Sequence, residues 1–231
     1  MNLMKSDKKI IKDVVFLNRN IFKNNLTILN FGNASYFDRP KDKIYIKGTG
    51  FNTEDVNEKN ISILKIKNKK LHLINRIKSS VDTIIHHSIY NTLPNINFIA
   101  HTHSTFATVL AQLNIEPECV GTTHADFFYK NVPLSLKLKN YHNKNYENEI
   151  GNSITGRIKI EKYTPPGMLI RSHGVIAWGT TAKETLENLI AIEKICELFY
   201  LSKLIKKKKI TKKLHNLHFF RKHGKNKRYG Q

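Results

Sequence analysis

Short apolar alternations and amphipathic runs follow one another along this chain without the strand–helix–strand repeat that a parallel sheet requires. Residues 8–24 carry Ile11, Val14, Val15, Leu17 and Ile21 on or near one helical face. Residues 25–31 are apolar and β-branched, and the small polar loop Gly32-Asn33-Ala34-Ser35 closes them. Residues 43–47 alternate as a strand that stops at Gly48-Thr49-Gly50, and residues 60–73 hold the two alternating runs of a hairpin. Ser79 or Ser80 is placed to cap a helix over 82–92, which ends before Pro94. Residues 97–101 read as a strand, Ser104 as the cap of a helix over 105–113, and 116–129 as irregular. A helix over 147–162 precedes two strands, 168–172 and 175–178, joined tightly at His173-Gly174, and a long helix over 181–205. The expectation is one α/β domain over 1–231 around a largely antiparallel or mixed sheet.

No apolar run approaches the roughly 18 residues of a membrane span, and the first residues lack the apolar core of a signal peptide. Two cysteines, Cys119 and Cys196, suit a reducing compartment, so the expected location is the cytoplasm. The formal charge of +21 has the size of a nucleic-acid footprint. Its make-up argues otherwise. There are 32 lysines against 7 arginines, beside 28 isoleucines and 25 asparagines, all encoded by A/T-rich codons except arginine. Base-reading surfaces favour the arginine fork. Nucleic acid is not an expected partner, while anionic small molecules are.

Three groups of polar residues carry the candidate chemistry. His101 and His103 sit two apart at a strand end, where alternate residues share a face and can grip one metal ion from one side. The pair read as two loop histidines bonded to backbone needs no metal, and the spacing alone does not decide. His173, at a later turn, offers a third neutral nitrogen, and three histidines with an open position form a catalytic-zinc donor set. Asp126, in Gly121-Thr122-Thr123-His124-Ala125-Asp126, suits a general acid/base, an anchor behind a metal ligand, or simply a turn. The loops 32–35 and 47–50 let backbone N–H groups approach a phosphate, with Lys47 adding charge and Thr49 a hydroxyl, and they equally suit β-turns.

Together these segments resemble the class II aldolase family over about residues 26–231, and within it the L-ribulose-5-phosphate 4-epimerases. The resemblance rests on His101-Thr102-His103-Ser104 with Ala107-Thr108 and Ala111-Gln112, and on the stretch GTTHADFFY from Gly121 to Tyr129. It also rests on Ser172-His173-Gly174 with Ala177-Trp178-Gly179, and on Arg221-Lys222-His223-Gly224 before the final Tyr229-Gly230-Gln231. It implies an α/β/α sandwich around a central, mainly antiparallel sheet, assembled as a C4 homotetramer with shared active sites. It implies interconversion of L-ribulose 5-phosphate and D-xylulose 5-phosphate, a phosphorylated pentulose pair, by metal-dependent cleavage and re-formation of C3–C4. One zinc per subunit is implied, in a site type that also accepts cobalt or manganese.

By the same resemblance the metal residues are His101, His103 and His173, with Asp82 beside them, and the acid/base pair is Asp126 and Tyr229. The substrate residues are Asn33, Lys47, Thr49, Gly50, Ser80 and His218. The tail 206–231 is expected to bring Tyr229 and His218 to a neighbouring subunit. Asp82 stands where fuculose phosphate aldolase has Glu, which favours epimerase over the alternative, a class II sugar-phosphate aldolase. A basic nucleic-acid-binding protein on this scaffold is the non-enzyme alternative, and retention of His101, His103, His173, Asp126 and Tyr229 speaks against it. Val81 stands where the family has a second Ser, Thr49 where Ser is usual, and Arg171 where His is usual.

Overall fold

The computed structural model describes residues 5–139, 145–205, 209–224 and 227–228. Helix α1 (Lys5–Lys23) buries Ile11, Val14, Leu17 and Ile21 on its expected apolar face. Each such side chain contributes about 1.5–3 kcal/mol on leaving water. Asn18, also buried, bonds back to Val14 O (2.8 Å) and accepts the amide of Ala34 (3.0 Å), so the helix is tied to strand β1 (Asn33–Asp38). That strand corrects the loop expected over 32–35. Its small and polar residues show no apolar alternation, yet they pair with strands on both sides.

Strand β2 (Lys43–Lys47) and the hairpin of β3 (Ile61–Lys67) and β4 (Lys70–Leu73) follow as expected. Helix α2 (Thr83–Thr92), strand β5 (Phe98–Thr102) and helix α3 (Thr105–Gln112) come next. A short helix, α4 (Thr122–Ala125), interrupts the stretch read as irregular. Helix α5 (Tyr146–Ile160), strands β6 (Gly167–Ile170) and β7 (Gly174–Gly179) and helix α6 (Ala182–Ile205) complete the expected order. Helix α7 (Lys212–Lys222), for which no apolar periodicity predicts a helix, buries no side chain fully and is started by Thr211, whose hydroxyl accepts the Leu214 amide (3.2 Å).

The seven strands lie in the order β4-β3-β2-β1-β5-β7-β6, and every neighbouring pair is antiparallel. Alternate residues feed opposite cores. Tyr45, Phe98, Ala100, Val175 and Ala177 join the core beneath α1, α3 and α6, whereas Ile44, Ile99, Ile176 and Trp178 join the one beneath α2 and α5. The architecture is therefore an α/β/α sandwich around an antiparallel sheet. No helix among the described residues is long and apolar enough to cross a membrane.

Candidate active site

The register of the central strands decides where the histidines go. Asn33 on β1 lies opposite His101 on β5, and both carry the parity of the α2 face. His103 lies just past the end of β5, and His173 sits in the turn between β6 and β7. That turn is tight, with Ser172 at φ 57°. Gly174 has no room for a side chain, because a Cβ there would lie 2.6 Å from the Thr102 carbonyl oxygen and 3.2 Å from His101 Cε1.

The three rings converge. His101 Nε2 is 3.1 Å from His103 Nε2 and 3.2 Å from His173 Nε2, and one ligating atom from each residue lies within 4.8 Å of the others. His101 Nδ1 donates to the Val175 carbonyl oxygen (2.9 Å), so its Nε2 presents a lone pair. Burial lowers the basicity of all three, His173 to about 4, so they are neutral at pH 7. The His101 Nε2 lone pair can accept an N–H from one of these rings or, with all three rings presenting lone pairs, share a cation with both. Four-coordinate zinc with Zn–N bonds of about 2.0–2.1 Å spaces its nitrogens roughly 3.3 Å apart, and the observed separations fit.

Asp82 is the capping residue of α2, but its side chain turns away from the helix and accepts from Asn33 Nδ2 (2.6 Å). Burial alone would raise its carboxyl. The adjacent His101 and His86 and the Asn33 amide outweigh burial and hold it below the usual carboxylate range. Ser80 caps no helix with its hydroxyl. Ser80 Oγ instead accepts the Asp82 amide and meets Asn33 Nδ2, both at 3.3 Å. Beside this, Gly48 bridges Ser79, and the Thr49 amide donates to the Lys78 carbonyl (3.0 Å), which brings the loop 47–50 beside the Ser79-Ser80 segment that meets Asn33. Gly50 takes φ 81°, a left-handed position natural for glycine. Lys47 is buried, and its Nζ donates to the Asn30 (3.0 Å) and Phe51 (2.7 Å) carbonyls. Burial lowers it to about 8, against the pull of Asp82.

The remaining residues form a second cluster on α4 and α7. Asp126 follows α4, and its carboxylate meets His218 Nδ1 (3.3 Å). His223 Nε2 donates to the Asp126 carbonyl (2.7 Å), and His215 Nε2 to that of Phe128 (3.1 Å). Phe219 packs on Tyr129, and Lys222 Nζ lies 3.7 Å from the Phe127 ring centre. Helix α7 thus docks on α4 of its own chain. Tyr229 lies outside the described residues. Val81 is largely exposed beside Asp82, while Arg171 Nε donates to the Ser135 carbonyl (3.2 Å).

Two features escaped the sequence reading. His86, fully buried one helical turn after Asp82, bonds through Nδ1 to Ser35 Oγ (2.7 Å), which in turn meets Tyr90 OH (2.8 Å). The i, i+4 spacing from Asp82 was the available signal. Glu193 on α6 accepts two amides at the start of α3, and no local pattern links residues so far apart.

Residues 12–200 match the model of the family described as Class II Aldolase and Adducin N-terminal domain, and the chain belongs to that family. Among its relatives is the L-ribulose-5-phosphate 4-epimerase UlaF of Salmonella paratyphi B, 30% identical over 228 residues, covering 97% of this chain and 99% of that one. The UlaF of Salmonella typhi matches to the same extent. Among solved structures, an L-fuculose 1-phosphate aldolase superposes with a TM-score of 0.78 at 22% identity, over 95% of this chain and 97% of the other. YgbL from Klebsiella pneumoniae superposes at 0.76 with 18% identity, over 91% and 98%. These structures share the fold.

Proposed function

We propose that the chain is an L-ribulose-5-phosphate 4-epimerase, an isomerase that interconverts L-ribulose 5-phosphate and D-xylulose 5-phosphate. The observation that carries this reading is the place of Asp82, bonded to Asn33 and set against the cluster of three histidines. Its carboxylate is fixed by the Asn33 amide beside the three histidines, a place from which it serves charge rather than proton transfer. Proton transfer then falls to Asp126, in the other cluster, and to Tyr229. The near full-length likeness to proteins named as this epimerase supports the same substrate.

The inverted carbon, C4, is not adjacent to the carbonyl, so its hydrogen is not acidic enough for direct removal. The C3–C4 bond breaks instead. A base takes the proton of the C4 hydroxyl, C4 becomes an aldehyde carbon, and the bonding pair passes to C3 and the carbonyl at C2. The aldehyde turns over, the pair returns to its opposite face, and an acid returns the proton to the new C4 oxygen. His101, His103 and His173 would hold a divalent ion, proposed to be zinc, with Asp82 beside it. Such an ion supplies Lewis acidity toward the oxygens that gain charge as C3–C4 opens. Asn33 orients Asp82 and, with Lys47, Thr49, Gly50 and Ser80, anchors the phosphate while the aldehyde rotates. Asp126 and Tyr229 serve opposite faces of the aldehyde, and His218, paired with Asp126, positions it.

The proposed assembly is a C4 homotetramer in which Tyr229, past helix α7, completes the site of the next subunit, and the proposed location is the cytoplasm. Purified protein loaded with zinc and given L-ribulose 5-phosphate should yield D-xylulose 5-phosphate in a coupled assay. Release of dihydroxyacetone and glycolaldehyde phosphate without xylulose product would make it a lyase, and no conversion at all would refute the reading.

A further inference from the structure

Helix α3 begins two residues after His103, so its first turn adjoins the histidine cluster. The sequence supplies a natural cap there, Ser104, with the extended backbone of a capping residue (φ −63°, ψ 145°). Its hydroxyl makes no capping bond. It is buried and has no hydrogen-bond partner among the described residues. The amides it would serve are taken by one distant carboxylate. Phe106 N–H donates to Glu193 Oε1 (2.8 Å), and Ala107 N–H donates to Glu193 Oε2 (2.9 Å).

The substitution of a carboxylate for a hydroxyl has an electrostatic meaning at this place. The start of an α-helix carries about half a positive charge, concentrated on its free N–H groups. Two residues from His103, in a cluster that would accept a divalent cation, that charge opposes binding. A serine hydroxyl satisfies one N–H and leaves the charge in place. A carboxylate satisfies two and cancels it. Glu193 also belongs to α6, which packs along both α1 and α3, so the same bonds fasten the His103 turn to the largest helix of that layer.

We propose that Glu193 is a positioning residue of the metal site: its carboxylate clamps the start of α3, and with it His103, and neutralises the positive helix end so that the three histidines take a divalent cation. The inference rests on the metal-binding reading of the triad. Zinc-stripped wild type, Glu193→Gln and Glu193→Asp are titrated with Zn²⁺ against a chromophoric chelator, and the melting of each metal-free protein is recorded. The Gln variant keeps the size and loses the charge, and its zinc dissociation constant should rise about five- to tenfold. The Asp variant keeps the charge on a shorter arm and should recover most of that affinity, although its metal-free melting falls as far as that of the Gln variant. Cobalt-loaded Glu193→Gln should also show a shifted visible spectrum, because His103 is less firmly placed. Wild-type affinity in Glu193→Gln overturns the proposal. So does an equal loss of affinity in both variants that simply follows their metal-free melting. Wild-type protein that takes up no zinc overturns the functional reading itself, and this inference with it.

Discussion

The two polar clusters are built by opposite means. The histidine cluster hangs on the sheet: β1, β5, the β6–β7 turn and the start of α2 each deliver one or two side chains, tied down by the Val175 carbonyl, Asn33 and Glu193. The Asp126 cluster hangs on helices, one of them four residues long, and α7 is bolted to it by three histidines. Asp126 and His218 keep about a fifth of their side-chain surface exposed, whereas His101 is buried. A donor set must hold nitrogens a few tenths of an ångström from their ideal spacing, and paired strands provide that rigidity. A proton-transfer pair must exchange with solvent and follow a turning aldehyde. Cation binding and proton transfer should therefore fail separately when each cluster is damaged.

The largest effect tests that separation from the metal side. His103→Asn should abolish stoichiometric zinc uptake and turnover together, read by elemental analysis and the coupled assay. Full zinc content in that variant would break the assignment of the first cluster. From the other side, Asp126→Asn should lower kcat about 10²–10⁴-fold, the usual range for a lost acid/base, with zinc content unchanged. Inactive His103→Asn subunits mixed with inactive Tyr229→Phe subunits should regain activity in hybrids if one subunit's tail completes the next subunit's site. No recovery in verified hybrids would confine each site to a single chain.

Lys47 sharpens the comparison on the side of the histidine cluster. Two of its three N–H groups are committed to the Asn30 and Phe51 carbonyls, which leaves one for a phosphate. Lys47→Met should raise KM about ten- to a hundredfold, the worth of one charge-assisted hydrogen bond, with zinc content unchanged. The sign of the pH effect follows from its burial. Lys47 is charged below about 8 and neutral above it, so the wild-type KM should climb as pH rises past 8. The Met variant should show no such climb, and an identical climb would remove Lys47 from the phosphate pocket.

Legibility in the sequence followed locality. The strand ends at His101 and His173 announce themselves by apolar runs that stop at polar residues, and the sandwich follows from the order of such runs. Strand β1 was missed because Asn33, Ala34 and Ser35 carry no apolar alternation; its pairing comes from the neighbouring strands and from Asn18, across the chain. Helix α7 was missed because its sequence is rich in lysine and histidine and two of its three histidine anchors are backbone carbonyls, which no side-chain pattern reports. Serine caps were read at Ser80 and Ser104 where local chemistry allows them. The structure spends Ser80 on Asn33 and Asp82, and it caps α3 from α6.

The smallest expected effect compares the rigidity of the two clusters directly. Each buries one neutral histidine with a nitrogen that has no partner among the described residues: His86 Nε2 in the first and His124 Nδ1 in the second. Protonating either would place an N–H where no acceptor waits, and burial accordingly lowers His86 to about 3 and His124 to about 4. In the unfolded chain both titrate near 6.5. Between about 6.5 and 4 the unfolded state therefore binds one more proton at each site. Stability is fully present above 6.5 and drains away as pH falls, at a limiting slope of about 1.4 kcal/mol per pH unit for each histidine. Metal-free His86→Gln and His124→Gln are both destabilised by altered packing at pH 7, so the pH dependence rather than the level carries the comparison. Denaturant unfolding at pH 6.5 and 5.5 should show each variant losing about 1 kcal/mol less than wild type over that interval. A reduced slope in His86→Gln beside a wild-type slope in His124→Gln would mean that the α4–α7 cluster opens to water before its histidine titrates, which would make the helical half the softer of the two. Equal reductions would show that both clusters stay closed down to pH 5.5.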